Sequence, residues 1–412
     1  MPYIDLKQKS FWKSSPGADD GHLGSSEGKR HIVFLLRKNP ASIGGVQRHF
    51  ARLLACLGKE FQVDRIAWPG PEWWAPLYLP YFNHKSVRNG SKIIFCDDAV
   101  TSLAGARIRD KSDKKVVAMA HGLDVILPIE WYQGRLRRAL QRLDKVICVS
   151  RATAEQVKRR GVEESRIVII AGPVEIVRNR IQKNEDLYFK IEHETGMELR
   201  SKKLLLSLGR PVTRKGFDYF AERILPHLPD DHVYLIAGPK PASRVWLQAV
   251  SPFLGEKLYN NLLLASGAHT VHEKLLKLSR DSRVFYLNGI DDSLRDLLFA
   301  ASDLFIMPNR TVEGDMEGFG LVALEASVRG VPVIATGIEG IVDAVIDGKN
   351  GFCFAEGDDA GMIEAIKGLT ADSARLREFG SRAKEYVEDA FSSKTVVDKY
   401  KDLFDELLNG GS

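Results

Sequence analysis

Lys203-Leu-Leu-Leu-Ser-Leu-Gly-Arg-Pro-Val-Thr-Arg-Lys-Gly216 is an apolar run that ends in a basic turn with a glycine at each edge. A run this uniformly apolar suits a parallel strand covered on both faces, since alternation is needed only where one face meets water. The same unit recurs on either side. Downstream lie 232–237, 284–287, 304–307 and 331–335; upstream lie 31–36, 62–68, 92–96, 116–120, 145–149 and 166–170. Helical stretches separate them, and this alternation predicts an α/β protein with doubly wound parallel sheets. The charged, strand-poor segment 176–201 divides the series into two similar domains, over about 30–190 and 200–372. Ligands of such sheets bind outside the carboxyl ends of the strands, so the cleft between the domains is the expected site. Residues 1–29 are polar and are expected to form a flexible tail. Residues 373–412 have Leu376, Phe379, Ala383 and Tyr386, then Val396, Tyr400, Leu403 and Leu407, at helical spacing. They are expected to form helices that cross back to the first domain.

Four motifs fall at strand ends. The turn Gly209 to Gly216 gathers Arg210, Arg214 and Lys215, a set that can hold an anion; a solvated basic turn is the competing reading. Glu317-Gly-Phe-Gly-Leu-Val-Ala-Leu-Glu325 follows the strand 304–307. Gly318 and Gly320 permit close backbone approach, and a helix starting near Gly320 would point free N–H groups at a phosphate. Leu321 and Glu325 then share one helix face, where Glu325 can accept from two ribose hydroxyls and Glu317 from the sugar being transferred. Two solvated glutamates around a tight turn would give the same letters. Ile43-Gly-Gly-Val-Gln-Arg-His49 offers a paired-glycine loop suited to closing over a substrate, or an ordinary strand-to-helix turn. His121, in His121-Gly-Leu-Asp124, ends the strand 116–120 and faces the expected cleft. No Asp-x-Asp triplet occurs, so no metal site is marked. Arg210 and Lys215 can neutralise a leaving diphosphate instead.

Together these motifs resemble the family 4 retaining glycosyltransferases of GT-B architecture, the glycosyl transferases group 1, over about 31–400 and most closely over 203–356. The resemblance implies two Rossmann-like doubly wound domains facing a central cleft, and a retaining hexosyltransferase that uses a nucleotide-diphosphate sugar without a cofactor or metal. Carried over by position, it implies that Arg210 and Lys215 bind the donor diphosphate beside Gly209. Glu325 would bind the ribose and Glu317 the donor sugar. Backbone amides along Gly318, Phe319, Gly320, Leu321 and Val322 would hold sugar and phosphate. His121 would contact the sugar near the anomeric centre, with Gly44 and Gly45 forming the glycine loop. Front-face transfer with retention is the implied mechanism, a donor phosphate oxygen taking the acceptor proton. Gly340-Ile-Val-Asp343 departs from the Gly-Ile-Pro-Glu frequent there. The competing readings are a nucleotide-sugar-binding protein without turnover and a sugar-nucleotide epimerase of the same fold.

The 412 residues carry a formal net charge of +5, too small to argue for nucleic acid. The cysteines Cys56, Cys96, Cys148 and Cys353 are scattered, as befits free thiols in a reducing compartment. No run has the length of a membrane span and no signal peptide opens the chain, so a cytoplasmic enzyme is expected, peripheral on the inner membrane face if it meets lipid. The segment 131–145 is the surface for that: five cations against one aspartate, with Leu136, Leu140 and Leu143 on one side. A core-packed helix with a solvated basic face is the slightly favoured alternative. The four prolines of 68–82 argue for a loop or broken helix, whose aromatics would stack on sugar, touch lipid or form a small satellite core. The acceptor is expected to be a glycan or a lipid-linked glycan, as in polysaccharide or glycolipid biosynthesis.

Overall fold

The computed structural model describes residues 3–5, 30–37, 45–69, 75–87, 90–177, 181, 183–239 and 271–409. Its strands are β1 (Tyr3–Asp5), β2 (His31–Leu36), β3 (Gln62–Ala67), β4 (Ile93–Cys96), β5 (Lys115–Ala120), β6 (Lys145–Cys148), β7 (Ile167–Ile169), β8 (Lys203–Leu208), β9 (His232–Gly238), β10 (Val284–Asn288), β11 (Leu304–Met307), β12 (Val333–Thr336) and β13 (Gly351–Phe354). They form two parallel sheets, ordered β3-β2-β4-β5-β6-β7 and β1-β10-β9-β8-β11-β12-β13. The expected runs are the strands β2 to β12, and side chains are buried through β4, β9, β11 and β12 and, after His31 and Lys203, through the rest of β2 and β8.

Strand order locates the crevices. In the second sheet the chain winds outward from β8 to β10, then returns to place β11 beside β8, pairing Leu304 with Leu205. In the first it winds from β2 to β3, then returns with β4 against β2. Such reversals leave a gap between the loops that follow the two adjacent strands. The loops at the second reversal are Gly209–Gly216 and Pro308–Glu317.

Three expectations are corrected. Tyr3–Asp5 is not free tail but pairs with Tyr286–Asn288 at the sheet edge. The helix Glu185–Thr195 packs on the helix Asp292–Ala301, and Lys183 Nζ reaches Asp303 at 2.7 Å, so the domain boundary falls before 185 rather than at 190. The proline-rich stretch yields a helix, Ala75–Val87. Pro69 and Pro71 precede it and Pro76 sits in its first turn, where an N–H has no helical acceptor; only Pro80 is interior. Of the aromatics there, Trp68, Tyr81 and Phe82 pack on the first-domain core, while Trp73 and Trp74 lie outside the described residues. The helix Glu130–Leu140 follows the favoured core-packed reading: it turns its apolar side inward, burying Tyr132, Leu136 and Leu140, with Leu143 just beyond. That face is not available to lipid; of the helix's large apolar side chains only Trp131, with Arg135 above its ring, is exposed.

The last two helices divide between the domains. Ser373–Phe391 packs on the second, and Ser393–Asn409 crosses to the helix Gly45–Glu60 of the first. Phe404 meets Phe61 edge-on at 5.3 Å and Tyr400 lies 6.1 Å from Phe95. One apolar core therefore runs from β2 through this helix into the second domain, which fixes the cleft. Among the described residues no helix is long and apolar enough to cross a membrane.

Candidate active site

The two loops at the β8/β11 reversal are locked together. Gly216 adopts φ 62, and a Cβ there would overlap the Pro308 carbonyl oxygen; the Arg310 N–H donates to the Arg214 carbonyl at 2.8 Å. This contact turns the basic side chains onto Glu317. Lys215 Nζ lies 2.5 Å from Glu317 Oε2, Asn309 Nδ2 donates to the same oxygen at 3.0 Å, and Arg214 Nη1 pairs with it too. Arg214 Nε also faces Asp315 at 3.1 Å. Burial by itself would raise the Glu317 carboxyl, but Arg214 and Lys215 outweigh it and hold the group well below the usual carboxylate range. Lys215 is pulled the other way: its burial lowers its proton affinity more than Glu317 restores it. Glu317 Oε1 takes no hydrogen bond from a described residue. The site thus holds a fixed, ionised carboxylate with one oxygen engaged and one open.

Glu317 is positioned through its backbone as well. Its N–H donates to Glu339 Oε2 at 2.5 Å, and its carbonyl accepts from the Gly340 N–H at 3.1 Å. Beyond it Gly320, at φ 86, turns the chain into the helix Leu321–Ser327. The first N–H groups of a helix have no partner within it, so this end is a donor surface two residues beyond the Gly318–His121 contact. Phe319 is buried and lies 5.9 Å from Phe391, so its ring serves the core while its peptide lies at the site. At the end of that helix Glu325 Oε1 accepts from Arg52 Nη1 at 2.7 Å, across the cleft.

The first domain approaches through the end of β5. His121 Nε2 lies 2.8 Å from the Asp97 carbonyl, which can only accept, so Nε2 is the donor of this bond. The His121 N–H donates to Asp124 Oδ1 at 2.9 Å. Behind it His49 is buried with its ring edge-on at 5.9 Å; burial, then His121 and Arg52, push its pKa down to about 3, so it is neutral. The domains touch here: a Cβ on Gly318 would overlap the His121 carbonyl oxygen. Gly318→Ala is therefore expected to wedge the cleft open and lower kcat/KM about tenfold, in line with ~1–3 kcal/mol for overpacking. Unchanged turnover in that variant would show that this contact is not needed.

The structure brings Glu317, Lys215, Gly318 and His121 together. Arg210 is exposed at the turn, with Arg214, Asp315 and Glu317 as its electrostatic neighbours. Gly45 opens the helix Gly45–Glu60, and Gly44 lies outside the described residues. Sequence reasoning missed Asn309, Asp315, Glu339 and Arg52 as partners and treated Arg214 only as one of three cations. The basic count of the turn was the one available signal for Arg214. Asp343, singled out as a departure, pairs with the first domain: its Oδ1 is 2.5 Å from Arg151 Nε.

The sequence and the fold have counterparts in known proteins. The model of the glycosyl transferases group 1 matches residues 192–386, and that of Glycosyltransferase Family 4 matches residues 60–178. The chain is 32% identical over 164 residues to N-acetyl-alpha-D-glucosaminyl L-malate synthase of Bacillus anthracis, a match over 39% of this chain and 41% of that one. The chain thus spans less than half the length of that relative. It is 27% identical over 306 residues, 72% of each chain, to a GDP-mannose-dependent alpha-(1-6)-phosphatidylinositol monomannoside mannosyltransferase of Mycolicibacterium smegmatis. In fold it is similar to HepE of Anabaena in complex with UDP and glucose, with TM-score 0.68 and 17% identity over 92% of this chain and 100% of that one. The two matches support a place for this chain among the glycosyl transferases group 1, and its two facing Rossmann-like domains have the GT-B fold.

Proposed function

We propose that this protein transfers a hexosyl group from a nucleotide-diphosphate sugar to a hydroxyl of a glycan or lipid-linked glycan, with retention and without a metal. The observation that carries the reading is Glu317: Oε2 is clamped by Lys215, Arg214 and Asn309 at a strand-order reversal, and Oε1 is left for the sugar hydroxyls. In this reading the diphosphate lies against Arg210, Lys215 and the start of the helix Leu321–Ser327. Lys215 has three donors, one of which Glu317 takes, so the others remain for phosphate oxygens. His121 offers Nδ1 to a sugar hydroxyl. Glu325, freed by a ribose from part of its hold on Arg52, binds the nucleoside. The relatives that use GDP-mannose or were solved with UDP and glucose support a nucleotide-sugar donor.

Retention is supported by the state of the carboxylates at the first-domain strand ends. Asp98 is tied to Arg37 and the Thr101 N–H, Asp97 to the Arg37 N–H, and Asp124 to the N–H groups of Ala99 and His121. Each is spent on the fold, which leaves the donor phosphate to take the acceptor proton. The reading makes this a cytoplasmic-side enzyme of polysaccharide or glycolipid assembly, with Trp131 and the arginines around it facing the anionic membrane that holds the acceptor.

The test is nucleotide release from a panel of nucleotide sugars, with and without a chelator, followed by the anomeric configuration of the product. Release that persists in chelator with the donor's configuration kept is the expected result. Glu325→Ala is expected to weaken nucleoside diphosphate binding about tenfold, matching ~1.5 kcal/mol for a hydrogen bond to a charged group. Calorimetry on the variant checks this, and an unchanged Kd would remove Glu325 from the nucleoside site.

A further inference from the structure

Glu339 stands out on three independent counts. It is at φ 50, one of two non-glycine residues in the left-handed region among the described residues, where a side chain costs about 1 kcal/mol or more. Its carboxylate takes the Glu317 N–H at 2.5 Å, while the next residue, Gly340, donates its own N–H to the Glu317 carbonyl. And it lies half-buried among charges that mostly share its sign: Asp315 and Glu317 from the loop after β11, with Arg214 from the turn after β8 as the countercharge. A glycine would adopt this backbone without strain and would bring no extra negative charge to a pocket meant for a diphosphate. Strain and like-charge contact together at one residue, aimed at the backbone of Glu317, point to a task at the site rather than to the fold.

We propose that Glu339 is a positioning residue for the donor sugar: by gripping the Glu317 peptide it fixes the direction in which Glu317 Oε1 meets the sugar hydroxyls. The proposal rests on the reading of Glu317 as the sugar-binding carboxylate. Residues 339 and 340 hold both backbone groups of Glu317, and Lys215, Arg214 and Asn309 hold Oε2. Only Oε1 keeps freedom to respond to a ligand. Loss of the grip would let the 317–318 peptide turn, which harms recognition of the sugar while leaving the diphosphate contacts intact.

The ionisation of Glu339 provides a second signature. Burial, then the carboxylates of Glu317 and Asp315 against the pull of the Glu317 N–H and Arg214, pushes its pKa up to about 7. The anion grips an N–H more strongly than the neutral acid does. Donor recognition should therefore improve as pH rises through about 7. Stability runs the opposite way: a carboxyl whose folded pKa is raised loses its contribution as pH climbs from its unfolded value toward 7.

The experiment compares wild type, Glu339→Gly and Glu339→Gln. Calorimetry gives affinities for a nucleotide sugar and for its nucleoside diphosphate, kinetics give KM and kcat across pH 5.5–8.5 as roughly the span around that pKa, and melting gives Tm. For Glu339→Gly the expected result is about tenfold weaker nucleotide-sugar binding with nucleoside diphosphate affinity within about twofold, and a Tm at pH 8 that does not fall. Glu339→Gln, which can still accept the N–H, should keep affinity within about threefold and lose the pH-dependent limb near 7. Equal loss toward both ligands, unchanged nucleotide-sugar affinity in the glycine variant, a lowered Tm with general loss of binding, or a limb that persists in the glutamine variant would each overturn the proposal. A wild type that binds nucleoside diphosphates but discriminates no sugar overturns the underlying reading of Glu317, and that outcome is visible before any variant is made.

Discussion

Lys215→Ala is expected to lower kcat/KM by about two orders of magnitude, near 3 kcal/mol, the usual effect of removing one preorganised donor from developing negative charge. Lys215 is nearly buried, and its ammonium sits 2.5 Å from Glu317 Oε2 at the reversal where a leaving diphosphate would collect charge. Alanine removes a fixed cation from a poorly hydrated crevice, where charge interactions are stronger than in water. It also strips one of the three donors from Glu317, so the carboxylate relies on Arg214 and Asn309 alone. Both effects act in the same direction on turnover. Nucleoside diphosphate affinity, measured separately, should fall less than kcat/KM, because the full charge on the leaving group develops only as the glycosidic bond breaks. A variant keeping a third or more of wild-type turnover would refute the role of Lys215 at the diphosphate.

The folding pattern was largely legible because buried parallel strands leave a crude signal, and the eleven runs it marks are the strands β2 to β12. β13 escaped because Gly351–Phe354 is a short, half-buried edge strand that begins with glycine. β1 escaped because three residues of a polar tail become a strand only when β10 offers an edge. The helix Ala75–Val87 escaped because proline content was weighed without proline position. The site was legible residue by residue but not as a set. Glu317 and Lys215 are 102 positions apart, and they meet because β11 returns beside β8, a fact of sheet order that no local pattern records. Asn309 and Asp315 join them by the same route. Arg52 and Glu325 depend on the packing of two domains. Glu339 is recognisable only from its backbone angle and from the peptide it holds.

Arg214→Ala is expected to destabilise the protein by about 3–5 kcal/mol at neutral pH, the range for breaking a buried ion pair by deleting one partner. The guanidinium is almost wholly buried, with Glu317 and Asp315 on its two sides. Its loss leaves those carboxylates facing only Lys215 and the exposed Arg210, in a pocket that also holds Glu339. The expected size reflects the stranded charges and is not the net worth of the ion pair, which desolvation largely offsets. The pH dependence separates this mechanism from a simple packing defect. The folded-state pKa of Glu317 is depressed, burial opposing and Arg214 and Lys215 prevailing. Its contribution is therefore present above the unfolded value of about 4.3 and is lost as pH falls through the folded value. In the variant Glu317 loses the larger of its two charged partners, so its carboxyl protonates more readily and the penalty relaxes in acid. The melting temperature of Arg214→Ala should lie roughly 10 °C below wild type at pH 7, taking about 2–4 °C per kcal/mol for domains of this size. The gap should narrow by pH 4, as the unpaired carboxylates take up protons. A cavity left by the side-chain stem would produce a gap that does not depend on pH, and a constant difference between pH 7 and pH 4 would assign the loss to packing instead of charge.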